Sequence, residues 1–237
     1  MQLTKRLQAV ADYVSFGGRV ADVGCDHAYV SIYLAEIKIA RSVIALDINK
    51  GPLERARANI ERHGLGGIIE TRLSDGLQML KPDEADSIVI AGMGGALMVK
   101  ILTEGCEVMQ TAKELILQPQ SEIYKVREFL SRQQFAIIAE NMVIDEGKYY
   151  TVMKAIQAGC CKQLQKYQLS KREHFHFGRL LLENRHPVLK SYLLWELGIC
   201  ENILQALEKE DTARTSDRRH EIIDKIGLIR CGLEYYS

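Results

Sequence analysis

The first two thirds of the chain alternate between short apolar runs and stretches whose apolar residues recur with a helical period. Residues 2–15 carry such a helical stripe, which Gly17-Gly18 ends. The apolar runs that follow predict strands at 19–24, 42–47, 67–73, 86–91 and 114–119. The stretches between and after them predict helices at 28–37, 52–63, 95–104 and 122–130. Because strands that alternate with helices build parallel sheets, the pattern predicts a doubly wound α/β domain.

Two longer apolar runs close this pattern, at residues 135–144 and 149–157. The segment between them, Asp145-Glu-Gly-Lys148, is a turn signature, so the two runs predict an antiparallel β-hairpin. Five strand–helix units and a hairpin make a seven-stranded sheet. Dehydrogenase-type Rossmann sheets do not usually end in this way, whereas methyltransferase sheets do. The pattern therefore favours a Rossmann-like, class I methyltransferase sheet.

The segment after Gly159 has only helical periods rich in Leu, Glu and Lys. Pro187 predicts the start of a helix that runs through Leu207, and either Ser216 or Asp217 is the predicted N-cap of a last helix. Two antiparallel helices joined by a short polar turn form an αα-hairpin, and their heptad-like spacing predicts a coiled-coil arm. The arm is a candidate RNA-binding element, and the alternative is that it simply covers the edge of the sheet.

Composition adds a domain division and a compartment. The chain is 47% hydrophobic and 26% charged, as in an ordinary globular protein, and its 237 residues are enough for a large domain with a smaller one attached. Because the pattern changes at Gly159, we place the α/β domain at residues 1–158 and the helical domain at residues 159–237. No apolar run approaches the roughly 20 residues of a membrane span, and the N-terminus lacks a signal-peptide core. Six cysteines without a C-x-x-C pair fit reduced thiols, and His174 and His176 lack a third metal ligand at a suitable spacing. We therefore expect a cytoplasmic protein with no metal.

The end of the first predicted strand carries the most informative residues. Asp22-Val-Gly-Cys-Asp-His27 joins acidic residues to a glycine turn, and Asp47 ends the next strand about 20 residues later. In doubly wound domains this layout binds an adenosine cofactor, because the glycine lets the backbone approach and the later carboxylate accepts hydrogen bonds from ribose hydroxyls. Only Gly24 of the three glycines of a pyrophosphate turn is present, and Asp26 favours a cationic ligand such as S-adenosylmethionine. The alternative is that these residues have only a structural role, as the end of a strand followed by a tight turn.

Two further turns follow predicted strands, Ser74-Asp-Gly76 and Ala91-Gly-Met-Gly-Gly95. Asp75 could accept a hydrogen bond from the adenine amine, and the glycine-rich turn exposes backbone where a methyl group would pass to its acceptor. Ligands of doubly wound sheets bind beyond the carboxyl ends of the strands, where all these turns fall. The predicted cofactor-binding residues are Asp22, Gly24, His27, Asp47, Ile48, Asp75, Gly76, Ala91, Gly92 and Met93. His27 has three possible roles, which are to contact the cofactor, to orient Asp26, or to cap or fill the start of the helix predicted at 28–37.

Six motifs together resemble the bacterial tRNA adenine-N1 methyltransferases of the TrmK type. They are Asp22-Val-Gly-Cys-Asp-His-Ala-Tyr29, Lys50-Gly-Pro52, Asp75-Gly-Leu77, Ile90-Ala-Gly-Met-Gly-Gly95, Leu117-Gln-Pro119 and Asp145-Glu-Gly-Lys-Tyr149. The resemblance spans about residues 3–155, and the only departure that stands out is Cys25, where a nearly isosteric Ser is expected. It implies methylation of adenine N1 at position 22 in the tRNA D-arm, S-adenosylmethionine as cofactor, and a helical C-terminal domain.

The implied reaction suggests a role for Asp26. Adenine N1 carries a lone pair, so its attack on the sulfonium methyl needs no base, but the product is cationic and a nearby carboxylate would stabilise it. Asp26 is the candidate catalytic residue, with binding of the cofactor's ammonium group as the alternative role. The Ala91–Gly95 turn has no aromatic residue that could stack on the target base, so Tyr29 is a candidate for that contact.

The charge balance allows an RNA surface only as a local patch, because the chain has 31 basic and 31 acidic residues. Lys5, Arg6, Arg127 and Arg132 are candidate phosphate contacts, although each could equally be a solvated helix charge. The resemblance implies tRNA as partner, and we expect a monomer. The alternatives are a methyltransferase that acts on a protein or small molecule, and a non-catalytic cofactor-binding scaffold.

Overall fold

The computed structural model describes residues 1–159, 164, 167–208 and 213–237, without the side chains of residues 208 and 213–215. Within them seven segments pair into one sheet: β1 (Arg19–Val23), β2 (Ser42–Asp47), β3 (Ile69–Leu73), β4 (Ser87–Gly94), β5 (Glu114–Ser121), β6 (Phe135–Asp145) and β7 (Lys148–Gln157). The order across the sheet is β3-β2-β1-β4-β5-β7-β6, with β1 to β5 parallel and β7 antiparallel to β5 and β6. The predicted seven-stranded sheet closed by a hairpin is confirmed.

The helices that flank the sheet are α1 (Lys5–Ala11), α2 (Tyr29–Glu36), α3 (Lys50–Arg62), α4 (Gly95–Glu104), α5 (Cys106–Thr111) and α6 (Ile123–Arg132). The first of them is shorter than the predicted 2–15. It begins at Lys5 because the Thr4 hydroxyl accepts a hydrogen bond from the Leu7 amide and caps the helix there, and it ends at Ala11. The short helix α5 was not predicted. The central strands β1 and β4 are buried along their apolar residues, as expected of parallel strands covered on both faces.

The chain divides into two compact units, Met1–Gln168 and Leu169–Ser237. The division therefore falls later in the chain than the predicted boundary at residue 158. Two of the six cysteines, Cys160 and Cys161, lie outside the described residues.

The second unit contains α7 (Arg172–Phe177), α8 (Arg179–Glu183), α9 (Pro187–Glu208) and α10 (Ala213–Glu234). The Tyr236 hydroxyl donates to the His186 carbonyl, and Gly232 packs against Leu193 and Phe177, so the end of α10 returns to the start of α9. The two long helices are thus confirmed. The N-cap prediction at Ser216 or Asp217 is wrong, because α10 already begins at Ala213.

Arg127 is not available to bind RNA, contrary to the sequence-based expectation. Its Nε donates to Glu140 Oε1 at 2.9 Å, and both side chains are only 1% exposed. This helix charge faces β6 rather than solvent, because β6 supplies a buried carboxylate opposite it. Arg132, near the end of the same helix, is exposed beside Glu128.

We expect Arg127→Met to lower the free energy of unfolding by about 3–5 kcal/mol, because it leaves the Glu140 carboxylate buried without its cationic partner. Urea denaturation of the purified chain measures the loss. The double variant Arg127→Met/Glu140→Leu should recover much of it, since both charges are then removed. The matched control Arg132→Met should change stability by no more than about 0.5 kcal/mol. Equal losses for Arg127→Met and Arg132→Met would contradict the importance of the buried pair.

Candidate active site

The loop after β1 is attached to the end of β2 by backbone hydrogen bonds. The amides of Gly24 and Cys25 both donate to the Leu46 carbonyl, at 2.8 and 3.0 Å. Gly24 has φ +73°, a conformation that glycine adopts without strain. A Cβ there would also overlap the methyl group of Met93, so the loop after β1 touches the loop after β4. Two of the predicted cofactor loops are therefore in contact.

Asp47 presents a buried carboxylate with a fixed orientation. The side chain is at the end of β2, its Oδ1 accepts from the Asn49 amide at 2.8 Å, and its Oδ2 accepts from the Asp26 amide at 3.4 Å. The next residue, Ile48, is 57% exposed although it is apolar. An oriented carboxylate beside an open apolar side chain suits an adenosine moiety, whose ribose is polar and whose base is flat and apolar.

Asp26 lies next to Asp47 but points its own carboxylate to solvent. Its Oδ1 is 3.5 Å from Arg55 Nη2 and 3.6 Å from His27 Nε2, and its side chain is 64% exposed. The residue has φ +47°, a left-handed conformation that Asp and Asn tolerate better than most residues. The structure therefore brings the candidate catalytic carboxylate to the mouth of the site, beside the exposed Arg55 and the half-buried His27.

Asp22, a predicted cofactor ligand, is engaged within the protein. It is buried, and its Oδ2 accepts a 2.6 Å hydrogen bond from the Ser31 hydroxyl on α2. Burial raises the pKa of the Asp22 carboxyl to about 6, and the charge of Asp47 acts in the same direction. The observed contact of Asp22 thus attaches α2 to β1, and direct cofactor binding by Asp22 stays a prediction.

His27 does not cap α2, because the N-cap residue is Ala28 and no side chain caps the helix. Instead its ring stacks on Tyr29, with centroids 5.3 Å apart and planes 14° from parallel. The His27 carbonyl accepts from Asn59 Nδ2 at 3.1 Å. Tyr29 is 43% exposed, so the stacked pair forms an open aromatic surface beside Asp26.

The turn after β3 is held tightly around an exposed Asp75. The Ser74 hydroxyl donates to the Gly76 carbonyl at 2.8 Å, and Gly76 has φ +56°. A Cβ at Gly76 would lie 2.9 Å from Ile101 Cγ2, so a larger residue would press on α4. The turn is rigid while the Asp75 carboxylate is accessible, as the predicted contact with adenine requires.

The predicted glycine-rich turn, Ala91–Gly95, lies within β4 as far as Gly94, and a bulge interrupts the ladder with β5 there. The register between β4 and β5 pairs Ala91 with Gln118 and Met93 with Pro119, which skips Gly92 at a bulge. The Gly92 amide donates instead to Gln118 Oε1 at 3.1 Å. A Cβ at Gly95 would lie 2.6 Å from the Ser121 and Glu122 carbonyl oxygens, so only glycine fits at the start of α4.

Two candidate phosphate contacts, Lys5 and Arg6, differ in environment. Lys5 is exposed, whereas Arg6 is half-buried and its Nη1 donates to Gln118 Oε1 at 2.9 Å. No local pattern in the sequence predicted a role at the site for Gln118. The available signal was its place in the Leu117-Gln-Pro119 motif at the end of β5.

Among the described residues, no group of three or more His, Cys, Asp or Glu side chains could hold a metal ion. His174 is buried, with its Nε2 3.0 Å from the Tyr235 hydroxyl, and burial lowers the pKa of its imidazole. In the same described part of the chain, no helix is both long enough and apolar enough to cross a membrane.

Known proteins share this architecture over the whole chain. Residues 3–153 match the family model described as a methyltransferase domain. The tRNA (adenine(22)-N(1))-methyltransferase of Bacillus subtilis strain 168 is 34% identical over 97% of this chain and 96% of its own length.

Two solved structures extend the similarity. The crystal structure of the Bacillus subtilis 1-methyladenosine-22 tRNA methyltransferase TrmK matches with a TM-score of 0.87 and 33% identity, over 98% of this chain and 99% of that chain. A proposed methyltransferase of the same specificity from Streptococcus pneumoniae, in complex with S-adenosyl-L-methionine, matches with a TM-score of 0.85 and 32% identity, over 98% of this chain and 100% of that chain. The chain therefore belongs to the methyltransferase-domain family and, within it, to the TrmK family of bacterial tRNA (adenine(22)-N(1))-methyltransferases.

Proposed function

We propose that this protein transfers the methyl group of S-adenosylmethionine to N1 of adenine 22 in bacterial tRNA. The observation that carries the proposal is similarity over nearly the whole length of chains with that activity, the helical unit included. Because tRNA is the proposed substrate, the cytoplasm is the proposed compartment. We also propose that the protein acts as a monomer.

The strand-end residues support a division of labour around the cofactor. We assign the ribose hydroxyls to Asp47, whose carboxylate is oriented by two backbone amides, and the adenine to the exposed residues Ile48 and Asp75. Gly24, Gly92 and Met93 would border the methionine part and the methyl group, since the loops that contain them touch. The acidic surroundings suit the positive charge of the sulfonium and ammonium groups.

The chemistry is an in-line displacement that needs placement more than proton transfer. The N1 lone pair forms the new N–C bond while the C–S bond breaks, and S-adenosylhomocysteine leaves with a neutral sulfur. The positive charge thereby moves from the sulfonium to the adenine ring. Correct placement of the two reactants is worth several kcal/mol of barrier, with the reacting atoms about 3–3.5 Å apart.

Asp26 is the proposed stabiliser of the new charge on the ring. Its ion pair with Arg55 is exposed and long, and such pairs contribute little, so the carboxylate can turn to a bound base at small cost. The stacked rings of His27 and Tyr29 next to it could receive an unstacked adenine. The alternative role for Asp26, holding the ammonium group of the cofactor, predicts a different effect of mutation.

The substrate proposal is tested by tritiated methyl transfer to unmodified tRNA transcripts. A transcript with adenine at position 22 should be labelled, and one with guanine there should not, because guanine N1 carries a proton and offers no lone pair in its place. Labelling of both would move the target site within the RNA. If neither is labelled while S-adenosylmethionine binds, a protein or small molecule is the substrate.

For cofactor binding, Asp47→Ala should weaken the affinity for S-adenosylmethionine by about 10- to 100-fold, because it removes hydrogen bonds to a charged acceptor. Isothermal titration calorimetry measures the Kd. Asp83→Asn is a matched control, since Asp83 precedes β4 and therefore lies at the opposite edge of the sheet. An unchanged Kd for Asp47→Ala would remove Asp47 from the ribose site.

For the charge-stabilising role, Asp26→Asn should lower kcat by about 10-fold or more while the Kd for S-adenosylmethionine changes less than 3-fold. Asn keeps the tolerance for φ +47°, so backbone strain does not confuse the result. Single-turnover methylation gives the rate, and calorimetry gives the Kd. A large loss of cofactor affinity with little change in the single-turnover rate would assign Asp26 to the ammonium group instead.

A further inference from the structure

The side-chain amide of Gln118 is fully buried beside the glycine-rich turn, and its hydrogen bonds orient it. Its oxygen accepts from two donors, the Gly92 amide at 3.1 Å and Arg6 Nη1 at 2.9 Å, while its Nε2 donates to the Pro119 carbonyl at 3.2 Å. Donors on one side and an acceptor on the other leave a single satisfactory arrangement of the amide. Gln118 thus replaces the ladder hydrogen bond that the bulge removes from Gly92.

Arg6 is held from three directions. Its backbone amide donates to Asp145 Oδ2 at 3.1 Å, its guanidinium carbon lies 5.5 Å from the centre of the Tyr150 ring, and its Nη1 bonds Gln118. A Cβ placed at Gly92 would be only 3.4 Å from Arg6 Nη1, so the guanidinium lies directly against the turn. Arg6 therefore connects α1 and the β6–β7 hairpin to the glycine-rich turn.

We propose that Arg6 and Gln118 are positioning residues, which hold the Gly92 peptide so that the turn keeps the shape required for methyl transfer. The inference rests on the proposed function and deepens it, because it assigns the role of Arg6 to the rate of the reaction rather than to phosphate binding. Arg6 acts through Gln118 and Gly92 on the loop that contacts Gly24, where the methyl group would lie.

The physical reason is the sensitivity of in-line displacement to distance. A misplacement of about 1 Å can cost roughly 100-fold in rate, and the bulge leaves the Gly92 amide without a ladder hydrogen bond. Gly92 has φ +81°, and glycine at such a position has many alternative conformations. Loss of the Arg6 bond would remove one of the two donors that hold the Gln118 oxygen, and so would weaken the restraint on the Gly92 amide.

The test compares Arg6→Met with Lys5→Met, which removes the same charge from the preceding, exposed residue. Arg6→Met should lower the single-turnover rate constant of methyl transfer by about 10- to 100-fold. It should leave the tRNA Kd and its salt dependence at the wild-type values. Arg6→Lys should recover part of the rate, since one ammonium donor can reach Gln118 but cannot reproduce the guanidinium over Tyr150.

A phosphate contact would give the opposite pattern. Arg6→Met would then weaken tRNA binding and reduce the log–log salt slope by roughly 0.7–0.9 with kcat unchanged, and this result would overturn the proposal. Gln118→Leu provides a second variant that removes no charge, and it should lower kcat as Arg6→Met does. Thermal unfolding and the cofactor Kd of each variant exclude a general loss of fold as the cause.

Hydrogen exchange gives a readout that does not need activity. Peptides that contain Gly92 should exchange faster in Arg6→Met than in the wild type and Lys5→Met, because the Gln118 oxygen that accepts from the Gly92 amide is then held less firmly. Unchanged exchange in Arg6→Met would contradict the positioning role even if no RNA were methylated. Absence of methylation by the wild-type chain on both transcripts would instead reject the proposed function, so the two failures are distinguishable.

Discussion

The site depends on the bulge at Gly92, where the hydrogen-bond ladder between β4 and β5 is interrupted. A backbone amide at such a point needs another acceptor, and here the amide oxygen of Gln118 supplies it to Gly92. The turn that results directs Met93 onto Gly24 and lets the start of α4 approach the carbonyl oxygens of Ser121 and Glu122. The bulge in β4 therefore sets how the loop after β1, the end of β4 and the end of β5 meet.

The carboxylates at this edge of the sheet are adapted to different tasks by their environments. Asp22 is buried against Ser31 and has a raised pKa, Asp47 is buried but oriented by two amides, and Asp26 is exposed. One residue type thus serves as an internal attachment, as a fixed acceptor and as an adjustable charge. The difference follows from burial and partners rather than from the local sequence.

The same lesson applies to the cations. Arg127 is sealed beside Glu140 and Arg6 is bonded to Gln118, whereas Lys5 and Arg132 on the same two helices are exposed. A helix charge and a structural charge are indistinguishable until the facing strand is known.

The sequence by itself determined the order of the strands and of the longer helices, the hairpin and the two long C-terminal helices, whereas cofactor binding at the four strand ends stays a prediction. Alternating apolar runs, glycines and acidic residues at strand ends are local signals, and the family motifs contain these same residues. Tertiary structure alone decided which charges are buried and that Gln118 supports Gly92. Those outcomes depend on contacts between residues far apart in the chain, such as Arg6 with Gln118 and Arg127 with Glu140, which no local pattern encodes.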